Sequence, residues 1–295
     1  MKIGIIEAPS ILGLKPTGVQ NLPDSLKKSN LLGRLCAQYV GRIEAPPYDP
    51  KRDKMTYILN PIKIQDYSLR LADAVVLVLA EDKFPLVLGG DCSILIGNLL
   101  ALRRLGKYGL FFIDGHADFY QPEASPTGEV ADMELAIVSG RGPDILTNIE
   151  GLKPLVQEDN IVLFGHRDTE EAIAHGSQNV RESDISVIDL EEVRRLGIEK
   201  ATSTALCNLL DKNLKGFWIH FDVDVLNDEI MPAVDYRMKG GMNFTEFSKL
   251  LRILLKSGRA VGMDLTIFNP NLDEGGTISR NLVECMAEGF SGSDH

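Results

Sequence analysis

The sequence predicts an α/β protein built on a parallel sheet with helices on both faces. Two observations carry this. Short apolar runs of strand length alternate with stretches of helical periodicity along the 295 residues. Clusters rich in Asp, His and Gly stand directly after several of the apolar runs, as expected where ligands bind beyond the carboxyl ends of parallel strands. No linker composition or repeat period interrupts the pattern, so 1–295 is expected to be one domain.

In chain order, Lys2 to Ile6 is a first buried strand with Ala8-Pro9 as its exit. Ser10 to Pro23 predicts a loop. Leu26, Leu31, Leu32 and Leu35 form an apolar face and predict a helix over Asp24 to Tyr39. The prolines of Glu44 to Pro61 predict a loop, with one strand near Arg42 to Ala45. Leu69, Ala72, Val75, Val76 and Leu79 recur at helical spacing and predict a long helix over Ile62 to Asp82. Pro85 to Leu88 is a strand ending on Gly89-Gly90, and a helix follows over Ile94 to Leu105.

Leu110 to Ile113 is the next strand, and Phe119 to Gly142 an irregular excursion with one helix around Met133 to Ser139. Asn160 to Phe164 and Ile185 to Ile188 read as strands. Thr169 to His175, Leu190 to Gly197 and Lys200 to Leu210 read as helices. Gly216 to Phe221 is an apolar strand. Asn243 to Lys256 is a helix with Asn243 and Glu246 placed as a capping box. Ala260 to Met263 is the last strand and Thr277 to Glu288 the last helix, and Ser291 to His295 should fray.

The net charge of −11 argues against nucleic-acid and anionic-membrane partners. Cys36, Cys92, Cys207 and Cys285 are scattered, with neither a C-x-x-C pair nor a disulfide framework. No apolar run reaches membrane-spanning length, and the N-terminus lacks a signal-type apolar region. These features predict a soluble, cytoplasmic protein.

The chemistry concentrates at strand ends. Asp114, His116 and Asp118 leave the strand Leu110 to Ile113 one residue apart, and alternate residues on an extended chain project to one side. Asp222 and Asp224 leave a second strand in the same way, and Asp91-Cys92 leaves a third. Cys92, Asp114, Asp118, Asp222 and Asp224 would together carry five negative charges. Repulsion would protonate several of them unless cations were present. Two divalent ions nearly balance the cluster, and bridging carboxylates let six donors serve both.

Plainer readings exist for each part. Asp91 or Ser93 can cap the next helix, and Cys92 alone can be a small buried residue. His220 falls on the other strand face from Phe221 and reads as a satisfied core histidine. His166, His175 and His295 have no ligand spacing and read as structural or solvated. These readings do not account for the donors occurring together after separate strands.

The segments LGGDCS (Leu88 to Ser93), FIDGHAD (Phe112 to Asp118) and HFDVDVLNDEIMPA (His220 to Ala233) resemble the three metal signatures of the arginase/agmatinase (ureohydrolase) family. The loop with Gly18-Val19 and Pro23, and Gly262 to Pro270, are also similar, so the resemblance covers nearly the whole chain. It implies a three-layer α/β sandwich with a central parallel sheet and a homo-oligomeric assembly. It implies a dinuclear manganese cluster whose bridging hydroxide attacks the carbon of a guanidinium or amidine. Asp114 and Asp222 would bridge the ions. Cys92 and Asp118 would complete one, and His116 and Asp224 the other. Asp118 would also hold the hydroxide by a hydrogen bond.

The departures bear on substrate and metal. The first signature normally ends Gly-Gly-Asp-His-Ser, and Cys92 replaces the His. A thiolate is soft, so Zn2+, Fe2+, Co2+ or Ni2+ become alternatives to Mn2+. Some N-hydroxyarginine-hydrolysing relatives carry a Cys there. Gly115 replaces Ala or Ser, which reads as minor. The proton-shuttling His falls on Ala131, with Asp132 or Glu134 as the available substitutes. The acid that contacts the guanidinium in arginases is Ile267 here. Tyr120 stands where arginases place an Asn that reads the substrate carboxylate, and Glu170 lies near the α-amino position. The sequence therefore predicts a dinuclear hydrolase of a linear C–N bond, with a small, neutral or weakly basic substrate such as an N-hydroxyguanidine favoured over arginine. The second reading is a non-catalytic relative acting as a regulatory or interaction partner.

Overall fold

The computed structural model describes residues 1–210 and 212–291, so the last four residues of the expected frayed tail, His295 included, lie outside it. Eight strands form one sheet: β1 (Ile3–Ala8), β2 (Gln38–Arg42), β3 (Phe84–Gly89), β4 (Gly109–Ile113), β5 (Ile161–Phe164), β6 (Ser186–Ile188), β7 (Phe217–Asp222) and β8 (Ala260–Thr266). Their spatial order is β2-β1-β3-β8-β7-β4-β5-β6, with every neighbouring pair parallel.

Strands β1, β3, β4, β5 and β7 are buried along their full length. Helices cover both faces, so these strands read in sequence as unbroken apolar runs. Alternate side chains enter opposite layers. Leu86, Phe111, Ile219 and Phe221 pack with residues of the helices Ile198–Leu210, Phe244–Lys256 and Thr277–Phe290. Val87, Leu110, Phe112 and Trp218 pack with those of Pro61–Ala80 and Ile94–Leu105. The result is helix, sheet, helix: the three-layer sandwich with a central parallel sheet.

Local signals hold where they have a mechanism. Asn243 and Glu246 form a reciprocal capping box at the start of Phe244–Lys256. Pro61 begins its helix, where the missing N–H has no partner to lose. The helix expected over Asp24 to Tyr39 is instead two short pieces, Leu22–Lys28 and Leu31–Leu35, broken at Asn30 with φ 65° and ended by Cys36 with φ 49°. Its expected last residues join the edge strand β2, which displaces the strand expected at Arg42 to Ala45. No helix among the described residues is long and apolar enough to cross a membrane.

Strand order positions the site. After β3 the chain crosses two places, later filled by β8 and β7, before laying down β4. The chain continues the same way through β5 and β6, then reverses to lay β7 beside β4 and β8 beside β3. Ligands bind at such switch points, beyond the carboxyl ends of the strands.

Candidate metal centre and its cavity

Each central strand delivers part of the site. Asp222 ends β7, and its Oδ1 accepts from the Asp224 backbone N–H at 2.8 Å, which fixes the turn Val223–Val225. Asp114 follows β4, and its Oδ1 accepts from the His116 N–H at 2.7 Å. Cys92 follows β3. Its Sγ lies 2.9 Å from Asp222 Oδ2 and 3.1 Å from Thr266 Oγ1 at the end of β8. His116 Nδ1 lies 2.9 Å from Asp224 Oδ2, and Asp224 Oδ1 accepts from the Gly115 N–H at 3.0 Å.

Asp91 does not join them. Its carboxylate accepts from Ser10 Oγ, the Gly13 N–H and the Ser93 N–H, so it pins the loop that follows β1. Ser93 caps the next helix by position, without a side-chain bond. His220 is buried, stacked on Phe112 at 4.5 Å, with Nδ1 at 2.5 Å from Asp264 Oδ2.

The donor atoms fall into groups able to hold cations. Those of Asp114, His116 and Asp224 lie within 4.8 Å of one another, as do those of Cys92, Asp114, His220 and Asp222, and those of Cys92, Asp114, Asp118 and Glu134. Asp114 Oδ2 is buried without a hydrogen-bond partner, and no N–H or hydroxyl group donates to the buried Glu134 carboxylate, whose neighbour is the Asp118 carboxyl. Buried anionic oxygens without donors are costly, and this arrangement fits bound divalent ions. All six metal ligands expected from the sequence are thus gathered at one sheet edge.

Electrostatics tell the same story. Burial, then the neighbouring Asp224, raises the Asp114 carboxyl to about 6. Burial first and like charges second push Asp118 and Asp222 well above the usual carboxyl range. Burial raises Glu134 as well, against a hydrogen bond with Asp118 that lowers it. Burial and Asp222 push the Cys92 thiol up. Burial opposes charge on His116, but Asp224 and Asp114 outweigh it and raise the imidazole. Burial works against the Asp224 carboxylate too, and His116 and Arg167 together bring it low. Among these carboxyls only Asp224, beside a cation, is held below its ordinary value.

Gly115 is not a minor exchange. A Cβ there would sit 2.5 Å from Arg167 Nη1 and 2.9 Å from the Asp224 carbonyl oxygen. The Arg167 guanidinium fills that space, donating from Nη2 to the Asp224 carbonyl at 2.8 Å.

A cavity of about 110 Å3 opens onto the ligands; its wall includes His116, Asp118, Asp222, Asp224, Tyr120, Asp132 and Ile267. Ile267 is buried with φ 70°, a strained conformation for a β-branched residue, and its N–H donates to the Gly90 carbonyl at 2.8 Å. Asp132 Oδ2 accepts from Ser125 Oγ at 2.7 Å while Oδ1 has no partner. Burial, only partly offset by Ser125, raises Asp132 to about 7. The structure puts Glu170 outside this cavity, on a shallow depression with Met238 and Lys239. Asp168 and Glu171 line the cavity in its place. Glu134, the other acid that could replace the proton shuttle, is not among the residues lining the cavity, whereas Asp132 is.

The comparisons agree with the geometry. The family model described as "Arginase family" matches residues 2–290. The arginase of Bacillus subtilis strain 168 is 30% identical over 290 residues, covering 96% of each chain. The crystal structure of arginase from Bacillus caldovelox superposes with a TM-score of 0.88 at 27% identity over 98% of both chains. That of arginase from Bacillus cereus gives 0.87 at 26% identity over 99% of both. The chain therefore belongs to the arginase family and is a ureohydrolase-type enzyme, a hydrolase of carbon–nitrogen bonds other than peptide bonds.

Proposed function

We propose that the protein is a dinuclear metal-dependent hydrolase of an amidine- or guanidine-type C–N bond, with a weakly basic substrate such as an N-hydroxyguanidine favoured over arginine. The observation that supports this is Ile267, an aliphatic side chain lining the cavity beside Asp222 and Asp224. A guanidinium seated there would find no carboxylate on Ile267 to pair with its N–H groups, and a buried unpaired charge is costly.

Asp114 and Asp222 would bridge two divalent ions, with Cys92 and Asp118 on one and His116 and Asp224 on the other. Mn2+ is the family choice, and the Cys92 thiolate admits Zn2+, Fe2+, Co2+ or Ni2+. When bound, the ions supply Lewis acidity and lower the pKa of water so that hydroxide is available near neutral pH. Asp118 would accept a hydrogen bond from the attacking water and orient it toward the planar carbon. Asp132, on the cavity wall with one free oxygen, would pass a proton to the leaving amine. Tyr120 would contact the substrate's tail. Asp168, whose Oδ1 is unpartnered, and Glu171 offer carboxylates to an amino group at its far end. A small-molecule substrate, a homo-oligomeric assembly and a cytoplasmic setting follow the same family reading.

The test is a substrate panel on metal-reconstituted protein: arginine, agmatine, N-hydroxyarginine and formimidoylglutamate, with urea and ammonia both measured. Turnover of a weakly basic member above arginine is expected. Turnover of arginine well above all others overturns the substrate assignment. No turnover of any, with two ions bound, favours a non-catalytic metal-binding relative.

A further inference from the structure

The short helix Glu134–Val138 is buried at every residue, and its first side chain is an acid. Glu134 is wholly buried, no N–H or hydroxyl group donates to its carboxylate, and the group beside it is another acid, Asp118. A carboxylate oxygen lies within 4.8 Å of donor atoms of Cys92, Asp114 and Asp118. Packing does not call for a carboxylate there, since an apolar side chain would fill the space without the desolvation cost. Its side chain is not among those lining the cavity. The Glu134 oxygens instead face the donors assigned to one metal.

We infer that Glu134 is a direct ligand of the ion on the Cys92 side, an inference that rests on the dinuclear reading above. That ion would be held by Cys92, Asp114, Asp118, Asp222 and Glu134, one carboxylate more than the family pattern supplies. Charge accounting permits it. Five carboxylates and one thiolate carry six negative charges. Two divalent ions return four and the adjoining Arg167 guanidinium a fifth. Relative to the family's imidazole, Cys92 and Glu134 add two negative charges to one ion and none to the other. The two ions should therefore bind in separate steps, the Cys92-side ion first and more tightly.

The experiment titrates full-length apoprotein with Co2+, following heat and visible absorption, for the parent and Glu134→Gln. The parent should bind two ions in two steps. In Glu134→Gln the tight step should weaken by at least about 10–100-fold, the range for groups that merely orient ligands. The weak step should hold. The thiolate-to-cobalt absorption should persist while the ligand-field bands change. The metal-induced rise in Tm should be smaller in Glu134→Gln than in the parent. A structural role would lower both melting points and leave affinity alone, and that result overturns the inference. So does an unchanged tight step with an unchanged cobalt spectrum. If Glu134→Gln does not fold, Glu134→Ala makes the same comparison, and parent-like binding there overturns the inference as well. A parent that binds no metal defeats the dinuclear reading itself, and the inference with it.

Discussion

The sulfur of Cys92 lies 2.9 Å from Asp222 Oδ2, although the two residues are 130 positions apart and arrive on different strands. Asp222 is expected to bridge both ions, so the thiol touches the atom group on which the whole centre depends. Without metal, the contact is a thiol donating to a carboxylate. On the proposed assignment both would serve as ligands to a bound ion, the thiol as thiolate.

Cys92→Ala should therefore bind one of two ions at least about 10–100-fold more weakly, since even residues that only orient ligands cost that much. Cys92→His should keep both ions and shift preference toward Mn2+, because imidazole is a harder donor than thiolate. Metal analysis after dialysis against mixed Mn2+ and Zn2+ checks this. Parent-like affinity in Cys92→Ala would show the thiol to be filler.

Asp132 is the acid with reach. It lines the cavity, is held by Ser125, and keeps one oxygen free. Asp132→Asn should lower kcat by roughly 10²–10⁴, the usual contribution of a positioned acid or base, with metal content unchanged. Steady-state rates on the best substrate, alongside metal analysis, measure it. A kcat within about threefold of the parent would pass the role to solvent.

Asp264 ties three buried side chains together. Buried on β8, it accepts from Trp218 Nε1, Asn98 Nδ2 and His220 Nδ1. Removing the carboxylate leaves three buried donors without it, each costing about 1–3 kcal/mol. Asp264→Ala should lose at least about 3 kcal/mol in chemical denaturation. A loss under about 1 kcal/mol would mean that water replaces the acceptor.

The sheet and most of the donor cluster at its edge were legible because both follow from one rule. Buried parallel strands read as apolar runs, and alternate residues leaving a strand share a side, which places Asp114, His116 and Asp118 together. The rule stops where strands stop. Glu134 comes from a short helix inside the excursion after β4, with no apolar run before it to mark it as a strand-end donor. The only available signal was an acid heading the apolar stretch Leu135 to Val138. Glu170 and Glu171 show the opposite limit. Neighbours on a helix point about 100° apart, so of two adjacent acids on Thr169–Ala174 only Glu171 faces the cavity, and spacing alone does not choose between them. Asn30 and Cys36 break the expected first helix through left-handed backbone that no apolar periodicity reveals.

Ile267 sets the final expectation. Its N–H is tied to the Gly90 carbonyl, so its position beside the metal ligands is fixed from both β8 and β3. Ile267→Glu keeps that backbone and adds a carboxylate facing the place where a guanidinium would lie. A buried charge regains roughly 3–5 kcal/mol when its partner is restored, but the ions' positive charge and the strained φ of 70° at this residue offset part of that gain. A selectivity shift of at least about tenfold toward arginine, equivalent to about 1.4 kcal/mol, is the expected net result. The ratio of kcat/KM for arginine to that for N-hydroxyarginine, in parent and variant, reads it directly. If the parent already handles arginine with high efficiency and Ile267→Glu leaves the ratio unchanged, another carboxylate on the cavity wall serves the guanidinium. The weakly basic substrate class would then be wrong, while the metal assignments would stand.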